Sequence, residues 1–208
     1  MSGHNRLRVV YELVYPLIGD DERLLDAFDL ADFAHSGQTR ATATGRTPYL
    51  LHPLRVFFRL QSWGVTDKVT LIAALLHDVV EDAPEKVIEH LGYTPQSDDI
   101  RHEALMAISL HFGPSVATVL DGLTNRPGIP YVDHVTDAVT DPRVLAGKLA
   151  DFSDNALSLD PALPRYEKLL AKYVPLCPVL ADALRDSEAA QALIPLWREV
   201  LASLRLPA

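Results

Sequence analysis

The chain has 208 residues, 48% of them hydrophobic and 23% charged, the balance of a globular domain with a sizeable core and not of a disordered segment. Nineteen Lys and Arg against 28 Asp and Glu give a formal charge of -9, which excludes a general basic surface for duplex nucleic acid or anionic lipid. One cysteine, Cys177, excludes an internal disulfide, and no apolar run reaches the roughly 20 residues of a membrane span. The N-terminus carries no signal-peptide pattern, so the expected location is the cytoplasm, with no membrane and no nucleic acid as partner. A phosphorylated small molecule remains compatible with this charge if a metal and a few local Arg or Lys side chains offset the field.

Along the chain, residues 7–14 form an apolar cluster closed by Pro16, which predicts a short first helix. Asp20 and Asp21 offer an N-cap for a second, with Leu24, Leu25, Phe28 and Phe33 as its apolar stripe. The Thr, Gly and Pro content of 41–48 predicts an ordered loop. Pro53 suits the first position of a third helix that carries Leu54, Val56, Phe57 and Leu60 toward Gly64. A fourth starts near Thr66, whose hydroxyl can cap it, and runs to His77 and Asp78.

Pro84 opens a short helix to about Gly92, a polar connection follows over 93–99, and a helix from about Ile100 stops at Phe112-Gly113-Pro114. Residues 115–124 read as a short apolar helix, 125–130 as a rigid loop, 131–140 as a further helix, and Pro142 as the start of one through Phe152. The tail over 161–206 is Ala- and Leu-rich, with Pro175, Pro178 and Pro195 dividing it into short or kinked helices. No segment alternates convincingly as a strand, so the predicted class is all-α, a helical bundle of about eight to ten helices. Residues 1–160 are expected to form the domain and 161–208 to pack on it as C-terminal helices. Cys177, Trp63 and Trp197 read as packing residues, Tyr166 and Tyr173 as amphipathic helix positions, and His90, His102 and His134 as surface histidines.

The stretch Leu71-Ile-Ala-Ala-Leu-Leu-His-Asp-Val-Val-Glu-Asp82 is physically unusual. An apolar, buried run ends in three carboxylates, which repel one another and the negative end of a helix. A cation removes the conflict. On a continuous helix His77 lies above Glu81 and Asp78 above Asp82. A lone His-Asp pair before Pro84 is more often a solvated helix end, but the full pattern and its apolar lead-in favour a metal. His52 and Asp151, which taken alone read as a helix-start residue and a surface acid, are two distant candidates that with His77 and Asp78 would make a two-nitrogen, two-oxygen set. Such mixed ligation suits Mn²⁺, Fe²⁺ or Zn²⁺ better than Ca²⁺ and leaves the choice among them open.

His52-Pro53, the block His77-Asp78-Val-Val-Glu81-Asp82 and Lys148-Leu-Ala-Asp151 with Asn155 resemble, in that order, the metal-dependent HD-domain hydrolases, most closely the hydrolase domain of the RelA/SpoT family. Similarity extends to 34–40, 47–49, 111–113 and 121–124, and covers roughly residues 30–158, most of the chain. The resemblance implies a helical HD domain that holds one Mn²⁺ and removes pyrophosphate from the 3′ position of guanosine tetra- or pentaphosphate. It further implies a stand-alone small alarmone hydrolase without synthetase or regulatory regions. Carried over by position, His52, His77, Asp78 and Asp151 would bind the metal, and Glu81 and Asp82 would orient and deprotonate water. Arg40 would lie against the nucleobase, Asn155 would contact the sugar or its 3′ phosphate, and Lys148 is a further substrate-binding candidate. Glu81, one turn beyond His77, is the first choice of base, and Asp82 either shares that work or holds a ligand in place.

The chain also departs from the family pattern. Residues 41–51 make a longer loop between Arg40 and His52, and Arg46 within it is a second candidate for the base-contacting role. Phe152 stands where a basic residue is usual, Asp154 precedes Asn155, and Ala83 replaces a Thr. A lost positive group and a gained negative one are expected to weaken binding of a highly charged ligand. These changes motivate another nucleotide, such as a nucleoside monophosphate, as the alternative substrate. A non-catalytic nucleotide-binding module is the third reading, against which Glu81 and Asp82 argue. The oligomeric state is not written in the sequence.

Overall fold

Aspartate caps start several of the helices. The computed structural model describes residues 12, 14–42, 45–158 and 166–203. In chain order come α1 (Glu22–Ala34), the hairpin strands β1 (Thr39–Thr42) and β2 (Gly45–Pro48), α2 (Leu51–Ser62), α3 (Lys68–Leu75), α4 (Val79–Asp82) and α5 (Pro84–His90). There follow α6 (Ile100–Phe112), α7 (Pro114–Leu123), α8 (Tyr131–Ala138), α9 (Pro142–Leu157), α10 (Tyr166–Tyr173), α11 (Leu176–Asp186), a 3₁₀ turn (Glu188–Leu193) and α12 (Ile194–Ser203). Carboxylate oxygens of Asp21, Asp67, Asp99 and Asp141 accept from the N–H groups of Arg23, Thr70, His102 and Arg143 at 2.8–3.1 Å. The fold is thus a helical bundle. Asp67, and not Thr66, caps the helix that leads to the site.

The structure differs from the sequence expectation in places. β1 and β2 pair antiparallel, in register Thr39↔Pro48 to Thr42↔Gly45, where a loop over 41–48 was expected. Four-residue strands are too short to show an alternating pattern. Of the first expected helix, residues 7–11 and 13 lie outside the described residues, while 14–18 are helical and contain Pro16. α2 begins at Leu51, which puts Pro53 inside the first turn, where its missing N–H costs nothing. Pro178 and Pro195 likewise occupy first turns of α11 and α12.

One core cluster runs from Leu24, Phe28 and Leu30 through Phe57, Ile72, Leu75 and Leu149 to Leu180, Trp197 and Leu201. Phe152 is fully buried there, edge-on to Tyr173 at 5.7 Å and Trp197 at 5.0 Å. Truncating a ring so enclosed costs about 3–5 kcal/mol. Two glycines set the crossing of α7 and α9. A Cβ on Gly122 would stand 2.8 Å from a Val144 methyl, and one on Gly147 2.8 Å from a Leu123 methyl. Their absence brings α9 close enough for Lys148 to reach the end of α7. Among the described residues no helix is long and apolar enough to cross a membrane.

Candidate metal centre and active site

α3 does not run on into the acidic residues. It stops at Leu75, residues 76–78 turn, and α4 resumes at Val79. The interruption leaves the Ala74 carbonyl to a side chain, and His77 Nδ1 donates to it at 2.8 Å. That bond fixes the tautomer and presents the Nε2 lone pair. His52, in the first turn of α2, is held the same way, with Nδ1 2.7 Å from Asp154 Oδ2. The two Nε2 atoms meet at 3.1 Å. Asp78 Oδ2 lies 3.2 Å from His77 Nε2 and 3.5 Å from His52 Nε2. Asp151 Oδ1, from α9, lies 3.1 Å from His52 Nε2 and 3.7 Å from His77 Nε2.

The electrostatics of these side chains require positive charge. Burial disfavours charging His77, yet the Asp78 and Asp151 carboxylates outweigh it and lift its pKa to about 9. Burial likewise opposes ionisation of Asp78, but His77, His52 and the Tyr49 hydroxyl hold its pKa well below the usual range. Asp151 is held low against burial, chiefly by His52. Two imidazoles with both Nδ1 atoms spent on acceptors, and with Nε2 atoms converging beside carboxylate oxygens, are a fitting donor set for a divalent cation. His52, His77 and Asp151 form a group that can hold one.

Asp154 belongs to the support of this set. Its Oδ1 accepts from Arg55 Nε at 2.6 Å and its Oδ2 from Arg55 Nη2 at 2.9 Å, besides His52. Burial raises its pKa, but these bonds prevail and hold the carboxyl far below the usual range. Tyr49 supports the opposite side, where its hydroxyl donates to Asp78 Oδ2 at 2.7 Å. The expectation that Phe152 and Asp154 spoil the binding pocket is therefore corrected. Phe152 faces the core and Asp154 faces Arg55 and His52, and neither lines the pocket.

The two neighbouring acids differ. Glu81 accepts from the Asn125 backbone N–H and from its side-chain amide, both at 3.2 Å, and Arg101 donates to the Glu81 carbonyl at 3.2 Å. Asp82 is exposed, and partial desolvation together with Asp78 and Glu81 raises its pKa to about 6.

All ten residues singled out in the sequence line one cavity of about 320 Å³. Arg40 Nη2 donates to Asn155 Oδ1, and Asn155 Nδ2 donates to Asp151 Oδ1 at 2.6 Å. Arg46 hooks back across the hairpin to Thr39, with Nε 2.7 Å from Oγ1 and Nη2 3.0 Å from the carbonyl. Lys148 is buried and donates to the Leu123 carbonyl at 2.7 Å. Sequence reasoning missed Tyr49, Asn125, Tyr131, Lys172 and Tyr173, which also line the cavity. Only Tyr49 carried a signal, its place in the Thr47-Pro48-Tyr49 similarity. A larger cavity of about 660 Å³ lies between α8 and α11, but no histidine or cysteine lines it. The chemistry therefore belongs to the smaller one. His134, expected at the surface, is buried, and desolvation lowers its pKa.

Comparison with known proteins finds a family and relatives. The HD-domain profile matches residues 27–174. The guanosine-3′,5′-bis(diphosphate) 3′-pyrophosphohydrolase MESH1 of Mus musculus is 32% identical over 148 residues, 68% of this chain and 72% of that protein. A Vibrio cholerae guanosine-3′,5′-bis(diphosphate) 3′-pyrophosphohydrolase is 33% identical over 162 residues, 73% of this chain. The chain spans only 20% of the length of that bacterial relative. A solved structure of a metazoan ortholog of SpoT superposes with a TM-score of 0.62 at 20% identity, over 87% of this chain and 97% of that one. That likeness shows a shared fold.

Proposed function

The chain belongs to the HD-domain family, and on that premise we propose that it is a metal-dependent hydrolase that removes the 3′-pyrophosphate from guanosine tetra- or pentaphosphate. The observation that carries the reading is the joining of a convergent His52, His77, Asp78 and Asp151 set to Arg40, Arg46, Lys148 and Asn155 in a single cavity. The names of the MESH1 and bacterial relatives support the substrate. Asp78 joins His52, His77 and Asp151 as a fourth ligand, and Mn²⁺ is the ion proposed, with Fe²⁺ or Zn²⁺ as substitutes. A divalent cation held there would acidify water and screen phosphoryl charge.

The protein groups divide the remaining work. Asp82 takes the proton from the attacking water, because its carboxylate is open to the cavity and its pKa of about 6 lies close to neutrality. Glu81, with both oxygens bound by Asn125, positions the turn that carries Asp82. This reverses the order of preference that the sequence suggests. Arg40 and Asn155 form a bonded pair that meets the nucleoside, while Lys148 offsets the carboxylates from behind. Of the two features that motivated a different nucleotide, Phe152 does not reach the cavity, and in the longer Arg40–His52 segment Arg46 is bonded back to Thr39.

The test is a substrate panel on manganese-loaded protein. Guanosine tetraphosphate should release pyrophosphate, and nucleoside 5′-monophosphates should release no orthophosphate. Preferential orthophosphate release from the monophosphates would overturn the assignment.

A further inference from the structure

Four basic side chains line the cavity, and three of them are committed. Arg40 bonds to Asn155, Arg46 to Thr39 and Lys148 to the Leu123 carbonyl. The fourth, Lys172, projects from α10, near the end of the 27–174 stretch that the HD-domain profile matches. Among the described residues its ammonium has no hydrogen-bond acceptor and no carboxylate partner. It rests 4.4 Å from the Tyr131 ring centroid and 5.4 Å from that of Tyr173, and both rings line the same cavity.

An aromatic face attracts an ammonium without neutralising it. The two rings therefore order the lysine and leave its full charge and its N–H donors available. Lys148 lies 5.4 Å from the same Tyr131 ring, so two cations share one platform. The cavity otherwise carries Asp78, Glu81, Asp82 and Asp151, which repel a polyphosphate.

We propose that Lys172 is a phosphate-binding residue of this site. It leaves the ring faces to bond a phosphoryl oxygen of the substrate, and supplies from α10 a positive charge beside the cavity carboxylates. The proposal rests on the polyphosphate reading given above. It makes Tyr131 and Tyr173 positioning residues that hold the lysine in reach.

The experiment uses the full chain and the variants Lys172→Met, Lys172→Arg and Lys168→Met. Lys168 lies on the same helix, is exposed and does not line the cavity. With guanosine tetraphosphate, Lys172→Met should raise KM about five- to twentyfold with kcat within about twofold. It should also flatten the dependence of KM on salt. Lys172→Arg should recover most of the affinity, and Lys168→Met should match wild type. Pyrophosphate alone, titrated calorimetrically into metal-loaded protein, should bind correspondingly more weakly to Lys172→Met. Wild-type KM in Lys172→Met, or an equal loss in Lys168→Met, would overturn the assignment. If wild type releases no pyrophosphate, the substrate reading fails. The calorimetric comparison then decides Lys172 separately, and equal pyrophosphate affinity rejects it.

Discussion

Replacing Asp154 tests how the metal set is held. Its carboxylate is 2% exposed and binds His52 Nδ1 at 2.7 Å and both Arg55 nitrogens at 2.6 and 2.9 Å. Asn keeps one acceptor but removes the charge that makes the imidazole more basic and fixes its orientation. Loss of such a supporting carboxylate costs about 10- to 100-fold in metal affinity, or roughly 1.4–2.7 kcal/mol. Ala also leaves the His52 N–H and Arg55 without acceptors, for about 2–3 kcal/mol of stability. The penalty stays below the about 3–5 kcal/mol of a wholly buried pair, because the Arg55 side chain is 43% exposed and can turn to water. Calorimetric Mn²⁺ titration of wild type, Asp154→Asn and Asp154→Ala gives the affinities, and kcat is read at saturating metal. Asp154→Asn should recover near wild-type kcat once saturated. Unchanged Mn²⁺ affinity in Asp154→Asn would refute the role assigned to this residue.

Asp82→Asn should lower kcat about 10²- to 10⁴-fold, and wild-type kcat should fall as pH drops through about 6, where Asp82 takes up its proton. The same raised pKa works against the fold. Its contribution favours the native state below the unfolded value near 3.8 and is lost as pH rises through about 6, so melting at pH 8 should show Asp82→Asn at least as stable as wild type. Tyr49→Phe deletes the 2.7 Å bond to Asp78 and should weaken Mn²⁺ binding by about 10-fold or less, read by the same titration. Chelation from a state at about 100 times the Kd removes about 2.7 kcal/mol, a fall in Tm of roughly 5–10 °C by calorimetry. An unmoved Tm would mean that the cluster holds no metal.

Much of this architecture is legible in the sequence because its signals are local. Asp21, Pro84 and Pro142 mark helix starts, and the helices begin at or beside them. His52, His77, Asp78 and Asp151 could be gathered only by family order, since nothing local says that α2, α3 and α9 meet. What escaped depends on tertiary contact. The break at 76–78, where His77 takes the Ala74 carbonyl, is a feature no periodicity reveals. Phe152 was misjudged as a pocket residue for want of helical phase. It stands about 100° round α9 from Asp151, while Asn155, one turn on, shares the Asp151 face. Tyr173 read as an ordinary amphipathic helix position and Lys172 gave no signal, and only the contacts of Lys172 with Tyr131 and Tyr173 give them a role.

The most direct measurement is the product analysis of guanosine tetraphosphate turned over by manganese-loaded wild type and by Asp78→Ala, quenched with chelator and resolved by ion exchange. Guanosine diphosphate and pyrophosphate in equal amounts from wild type, and neither from Asp78→Ala, is the predicted result. Equal turnover by the two proteins, or orthophosphate as the wild-type product, would contradict the metal-centred 3′-pyrophosphohydrolase described above.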